Sequence, residues 1–134
     1  MKIKKDIRET AKIWEKEYKK GFTGYMILLF LHESPLYGYD LKNKLESASG
    51  GRVQFEISAI YHLLKALDAK GFVKSFWDDS PLGPKRKYYR ITEAGRQLAQ
   101  LFTGCCMLPL DEALHETLNK YNMEQKSPER EIES

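Results

Sequence analysis

A mainly α-helical fold carrying one small β-hairpin is the class that this 134-residue sequence predicts, and three observations predict it. Ile57, Ile60, Leu63, Leu64 and Leu67 recur with the i, i+3, i+7 rhythm of a helix with one buried stripe. Beyond Gly71 come two short β-prone runs, one with Phe72, Val73, Phe76 and Trp77 and one with Tyr88, Tyr89 and Ile91, which together read as a hairpin. The loop between them, DDSPLGPKRK, ends in Lys85, Arg86 and Lys87. A helix followed by a hairpin with a basic tip is the outline of a winged helix-turn-helix, flanked here by N- and C-terminal helices suited to dimerisation.

Taken in order, the stretch from Asp6 to Lys20 places Ile7, Thr10, Ile13, Trp14 and Tyr18 near helical spacing and predicts an amphipathic helix. Gly21 and Gly24 are expected to loosen the chain before Met26, Ile27, Leu29, Phe30 and Leu31, which leave almost no polar face and belong in the core. Ser34 and Pro35 end that helix, because the residue before a proline is pushed out of the α region. From Leu36 to Ala48 the pattern predicts the first helix of the helix-turn-helix, with Leu36, Tyr37, Leu41 and Leu45 inward and Gly38 permitting close approach. A short strand over Arg52–Glu56 is expected beside the hairpin, and the recognition helix spans about 57–70. Thr92 followed by Glu93 predicts a capped helix start. That helix slackens at Gly104 and ends before Pro109, and a second amphipathic helix runs from Pro109 to about Tyr121. The units are then 1–21 (amphipathic helix), 22–92 (winged helix-turn-helix), 93–122 (dimerisation helices) and 123–134 (a disordered acidic tail).

Composition bounds the partners. With 42% hydrophobic and 31% charged residues the chain belongs with soluble globular proteins. Residues 1–20 carry eight Lys/Arg against four Asp/Glu, residues 21–110 eleven against eight, and residues 111–134 three against seven. A basic body ahead of an acidic tail suits a protein that meets a polyanion, although solvated faces alone would read the same way. The longest apolar run, Tyr25–Leu31, is far too short to cross a bilayer, and the charged N-terminus has no signal-peptide pattern. Cys105 and Cys106 are adjacent and cannot form an ordinary disulfide framework. Both points predict a cytoplasmic protein with no membrane partner.

Candidate DNA-facing residues follow from the helical face and the loop. If Ile57, Ile60, Leu64 and Leu67 face inward, Ser58, Ala59, Tyr61, His62 and Lys65 lie opposite, where hydroxyls, an imidazole and a cation can bond phosphates or base edges. The plainer alternative makes Tyr61 a partly buried core aromatic and His62 an ordinary surface histidine. Lys85, Arg86, Lys87 and Arg90 fall within six residues around Tyr88 and Tyr89. Such a cluster repels itself unless a polyanion or acids offset it, and Asp78 and Asp79 do only part of that. By period-2 alternation Tyr88 and Arg90 share one strand face, while Tyr89 and Ile91 share the other. The terminal amphipathic faces exceed what a compact core needs and point to a second copy of the chain.

Three stretches resemble the PadR family of transcriptional regulators: ILLFLHESPLYGYDLKNKLE, IYHLLKALDAKGFVKS and GPKRKYYRITEAGRQLA. They look like the family's leucine-rich helix with its Pro-x-Tyr-Gly-Tyr turn, its Tyr-x-x-Leu-x-x-Leu recognition helix, and its wing ending in Tyr-x-hydrophobic-Thr-x-x-Gly. The resemblance implies a homodimeric repressor of a pseudo-palindromic operator, with the recognition helix in the major groove and the wing, 79–87, on the backbone. Tyr61 and Lys65 match DNA-facing positions, Lys85, Arg86 and Lys87 match the wing, and Tyr37, Gly38, Thr92 and Gly95 match structural ones. Two departures stand out. Ser58, Ala59 and His62 replace the usual Gly-Ser opening and the proline after the tyrosine, and the region after Gly104 carries Cys105, Cys106 and Pro109 in place of a long leucine-rich helix.

An enzyme is not predicted. The sequence has no Gly-rich phosphate loop, no metal-ligand motif, no nucleophile–base constellation and no cofactor signature, and His32, His62 and His115 are scattered. Two alternatives compete with the regulator. One is a protein-interaction module on the same scaffold. The other is a thiol- or metal-responsive regulator acting through Cys105 and Cys106, against which stands their reading as small buried hydrophobes. A small-molecule effector is compatible with the resemblance, but its identity is not written in the chain.

Overall fold

A computed structural model describes residues 3–78 and 83–123. Its elements are α1 (Lys5–Leu31), β1 (Leu36–Tyr37), α2 (Gly38–Ala48), α3 (Ile57–Ala69), β2 (Val73–Trp77), β3 (Lys87–Ile91), α4 (Glu93–Phe102), a π-helical turn (Thr103–Met107) and α5 (Leu108–Lys120). The mainly helical class with a small antiparallel sheet is therefore correct, and the sheet has three strands in the order β1-β3-β2.

Three local expectations need correction. The predicted break at Gly21 and Gly24 is absent, and α1 runs unbroken for 27 residues. Each glycine costs a helix about 1 kcal/mol relative to alanine. Burial of Ile27, Leu28 and Leu31, each worth about 2 kcal/mol, outweighs that. Both glycines face α4, beside Leu98 and Phe102, where the Tyr25 hydroxyl bonds Thr103 Oγ1 at 2.5 Å. Leu36 and Tyr37, expected inside a helix, instead form β1 opposite Tyr89 and Tyr88. Arg52–Glu56 forms no strand. The free edge of β3 is taken by β1, and the backbone of the 52–56 connection is satisfied from α2, because Val53 N donates to Ser49 Oγ and Phe55 N donates to Glu46 Oε2.

The core gathers Ile27, Leu28 and Leu31 of α1, Leu41 and Leu45 of α2, Ile60 and Leu64 of α3, Val73, Tyr89, Ile91 and Ala99. Inward Tyr89 and Ile91 and exposed Arg90 obey the expected alternation. In register, Val73 faces Ile91 and Trp77 faces Lys87. Gly71, at φ +80°, ends α3 in a left-handed cap, and Phe72 N bonds the Leu67 carbonyl at 2.9 Å. Thr92 then ties this corner to α4: its N–H donates to the Phe72 carbonyl, its hydroxyl donates to the Gly71 carbonyl, and Oγ1 accepts from Gly95 N at 3.1 Å.

The C-terminal helix does not stop ahead of Pro109. The π turn, closed by the Leu108 N–H bonded to the Thr103 carbonyl, leads straight into α5, where Pro109 sits in the first turn, a position that tolerates its missing N–H. No residue of α5 is buried in the single chain. The acidic tail from Glu124 onward and positions 79–82 of the wing lie outside the described residues.

Candidate nucleic-acid interface

Helix α3 buries Ile60 and Leu64 completely and leaves Ser58, Ala59, Tyr61, His62 and Lys65 on its open side. At about 1.5 Å per residue its 13 residues span about 20 Å, enough to lie in a major groove. Its start is set by Glu46. One carboxylate oxygen accepts Phe55 N at 3.0 Å and the other pairs with Lys42 at 3.0 Å, which together hold its pKa below the usual glutamate value. A carboxylate depressed on folding contributes stability in full above its unfolded value and loses it as pH falls through the lower folded value. Glu46→Gln should accordingly cost about 1 kcal/mol at neutral pH. It should also flatten the stability profile on acidification below about pH 5, read by urea unfolding at stepped pH.

The open face of α3 divides between two grooves. The first has a volume of about 660 Å³ and is lined by Tyr37, Tyr39, Tyr61, Trp77, Lys85, Arg86 and Lys87. Tyr61 reaches it because position 38 is glycine: a Cβ there would sit 2.6 Å from the Tyr61 ring. Tyr61 is thus packed on Gly38 and still 39% exposed. Its phenol is pushed up from its ordinary pKa, first by burial and then by the neighbouring Tyr39 and Tyr37, so it stays a hydrogen-bond donor at neutral pH. The Arg86 guanidinium lies 4.9 Å from the Tyr37 ring centroid, and Lys87 Nζ lies 6.0 Å from that of Tyr89. The Asp78 N–H donates to the Arg86 carbonyl at 2.9 Å, extending the hairpin toward its tip.

The second groove, about 740 Å³, runs between α1 and the start of α3 and takes in Ser58, Ala59 and His62. Lys65 and Arg90 are exposed but line neither groove. Sequence reasoning missed Tyr37, Tyr39 and Trp77, which share the wing groove. The available signal was the Tyr-Gly-Tyr triplet, whose two tyrosines flank the one residue small enough to admit Tyr61.

Cys105 is exposed and Cys106 half-buried on the π turn, away from both grooves. Among the described residues no group of three or more His, Cys, Asp or Glu side chains is placed to hold a metal ion. Among the described residues no helix is long and apolar enough to cross a membrane.

Residues 27–101 match the sequence profile of the transcriptional regulator PadR-like family. The chain belongs to that family. Its members are transcriptional regulators, not enzymes. Among solved structures, a PadR-like transcriptional regulator from Bacillus cereus is 29% identical, with 83% of this chain and 99% of that chain covered and a TM-score of 0.61. Bacillus subtilis PadR, solved in complex with operator DNA, is 28% identical, with 59% and 45% covered and a TM-score of 0.53. An uncharacterised protein of Lysinibacillus sphaericus is 29% identical over 77 residues, 58% of this chain and 71% of its own. The family match starts at the core end of α1 and stops within α4. The first twenty residues of this PadR-like regulator and all of α5 lie outside it, and they carry Ile13, Trp14, Tyr18, Leu108, Leu110 and Leu114 exposed, while Trp77 and Leu101 are exposed apolar side chains inside it.

Proposed function

We propose that this PadR-like regulator is a homodimeric repressor that binds a pseudo-palindromic operator, with α3 in the major groove and the wing on the flanking backbone. The observation that carries the proposal is the meeting of Tyr61 of α3 with Lys85, Arg86 and Lys87 in one groove. A cationic, hydroxyl-bearing concavity at the edge of an exposed helix face suits a phosphate strand beside a major groove. Similarity to Bacillus subtilis PadR, solved with operator DNA, supports the same partner. The dimer is supported by surplus apolar surface. Ile13, Trp14 and Tyr18 of α1 and Leu108, Leu110 and Leu114 of α5 are all more than half exposed, with Trp14 at 73%.

The test combines sedimentation with selection of bound sequences from random duplex DNA at fixed salt. A dimer and selected half-sites about one helical turn apart are expected. The logarithm of affinity should fall against that of salt with a slope of roughly −4 to −8. A folded dimer with no salt-dependent binding would point instead to the protein-interaction reading, and a monomer would remove the two-fold operator.

A further inference from the structure

The second groove is not explained by a helix and a wing alone. One wall is α3, where Ser58, Ala59 and His62 face the groove; the other is α1, which presents Lys16, Lys19 and Lys20. We propose that this α1 ridge is a third phosphate-binding element, gripping the operator strand that passes the start of α3. The inference rests on the DNA-binding reading above and extends it to a part of the chain outside the family match.

The geometry supports a nucleic-acid strand as the occupant. Lys16 and Lys20 are one helical turn apart, about 6 Å along the axis. One DNA strand carries a phosphate about every 3.4 Å of helix axis, so the pair can reach two phosphates of one strand within about two steps of each other. Lys16 is exposed, and Lys20 pairs with Glu17 at 3.3 Å, an exposed pair that costs little to exchange for a phosphate. Lys19 plays a different part. Its ammonium bonds the Gln54 carbonyl and lies 5.1 Å from the Phe55 ring centroid, which fixes α1 against the connection that leads into α3. The ridge is therefore registered to the helix that enters the major groove. Two acids, Glu15 and Glu56, share the groove and oppose an anion, so the strand must follow the Lys16–Lys20 rim and stay clear of them.

The experiment measures operator affinity and its salt slope for the full chain and for Lys16→Ala/Lys20→Ala, with Lys4→Ala/Lys5→Ala as a control that removes the same net charge. Lys5 sits in the first turn of the same helix and pairs with Glu9. The Lys16→Ala/Lys20→Ala variant should weaken binding at least tenfold near 0.1 M salt and reduce the steepness of the slope by roughly 2 to 4. Ethylation interference should lose the phosphates nearest the start of α3 while keeping those at the wing. Glu15→Gln should tighten binding several-fold, an effect that a misfolded variant could not produce. The proposal is overturned if the Lys16→Ala/Lys20→Ala variant behaves like Lys4→Ala/Lys5→Ala and its ethylation pattern matches that of the parent chain. Should the parent chain itself bind no DNA, the repressor reading falls first and takes this inference with it.

Discussion

Gly95→Ala is expected to destabilise the fold by about 3 kcal/mol, lowering the melting temperature by on the order of 10 °C. A Cβ at this position would stand 2.2 Å from the Phe72 carbonyl oxygen and 2.8 Å from Ile91 Cγ1. The oxygen belongs to backbone and cannot rotate away, so the whole corner must move. That same carbonyl accepts the Thr92 N–H, and Thr92 Oγ1 accepts Gly95 N. Movement therefore breaks the cap of α4 together with the tie between the end of α3 and the base of the wing. Gly24→Ala supplies the contrast. It adds the same methyl to a helix interior with nothing within 4 Å of the new atom, and should stabilise by about 0.5–1 kcal/mol. Urea unfolding of both variants checks the pair, and equal effects would mean that the corner is not tightly packed.

The contrast between those two glycines also shows what could be read from the chain. Periodicity was sufficient for α3 and the hairpin, because Ile60 and Leu64 or Tyr89 and Ile91 announce a buried face through spacing alone. It failed where tertiary contacts overruled local preference. Gly21 and Gly24 read as a break, yet the helix continues because its core end is buried among three other helices. Leu36 and Tyr37 have no period, being only two residues long, and became a strand because β3 had a free edge. The acceptor for Phe55 N is a Glu46 carboxylate nine residues away, which no window of hydrophobicity detects. The proposed binding face was legible in part. The cations of the wing and the open side of α3 stand out by composition and phase. Their division into two grooves depends on where α1 and the Tyr37–Tyr39 turn pack, and only the three-dimensional structure supplies that.

Replacement of the wing cations is expected to have the largest effect on DNA. In a dimer, Lys85→Ala/Arg86→Ala/Lys87→Ala removes up to six cationic phosphate contacts, and each contributes about 0.9 to the salt slope. The slope should thus become shallower by up to about 5, and affinity near 0.1 M salt should fall by a factor on the order of 100 or more. Because phosphates carry no sequence information, operator and unrelated DNA should weaken alike. Arg86 separates charge from shape. Its planar guanidinium stacks on Tyr37, so Arg86→Lys keeps the charge but loses the stack that aims it into the groove. That variant should retain the slope and lose a few-fold in affinity. His62→Ala and Lys65→Ala should behave differently, altering which bases are preferred by about 1–3 kcal/mol at a position while leaving non-specific binding nearly unchanged. Titrations of operator and random duplexes over a series of salt concentrations distinguish the two classes. A triple wing variant that bound both duplexes as the parent does would transfer the backbone grip from the wing to α1.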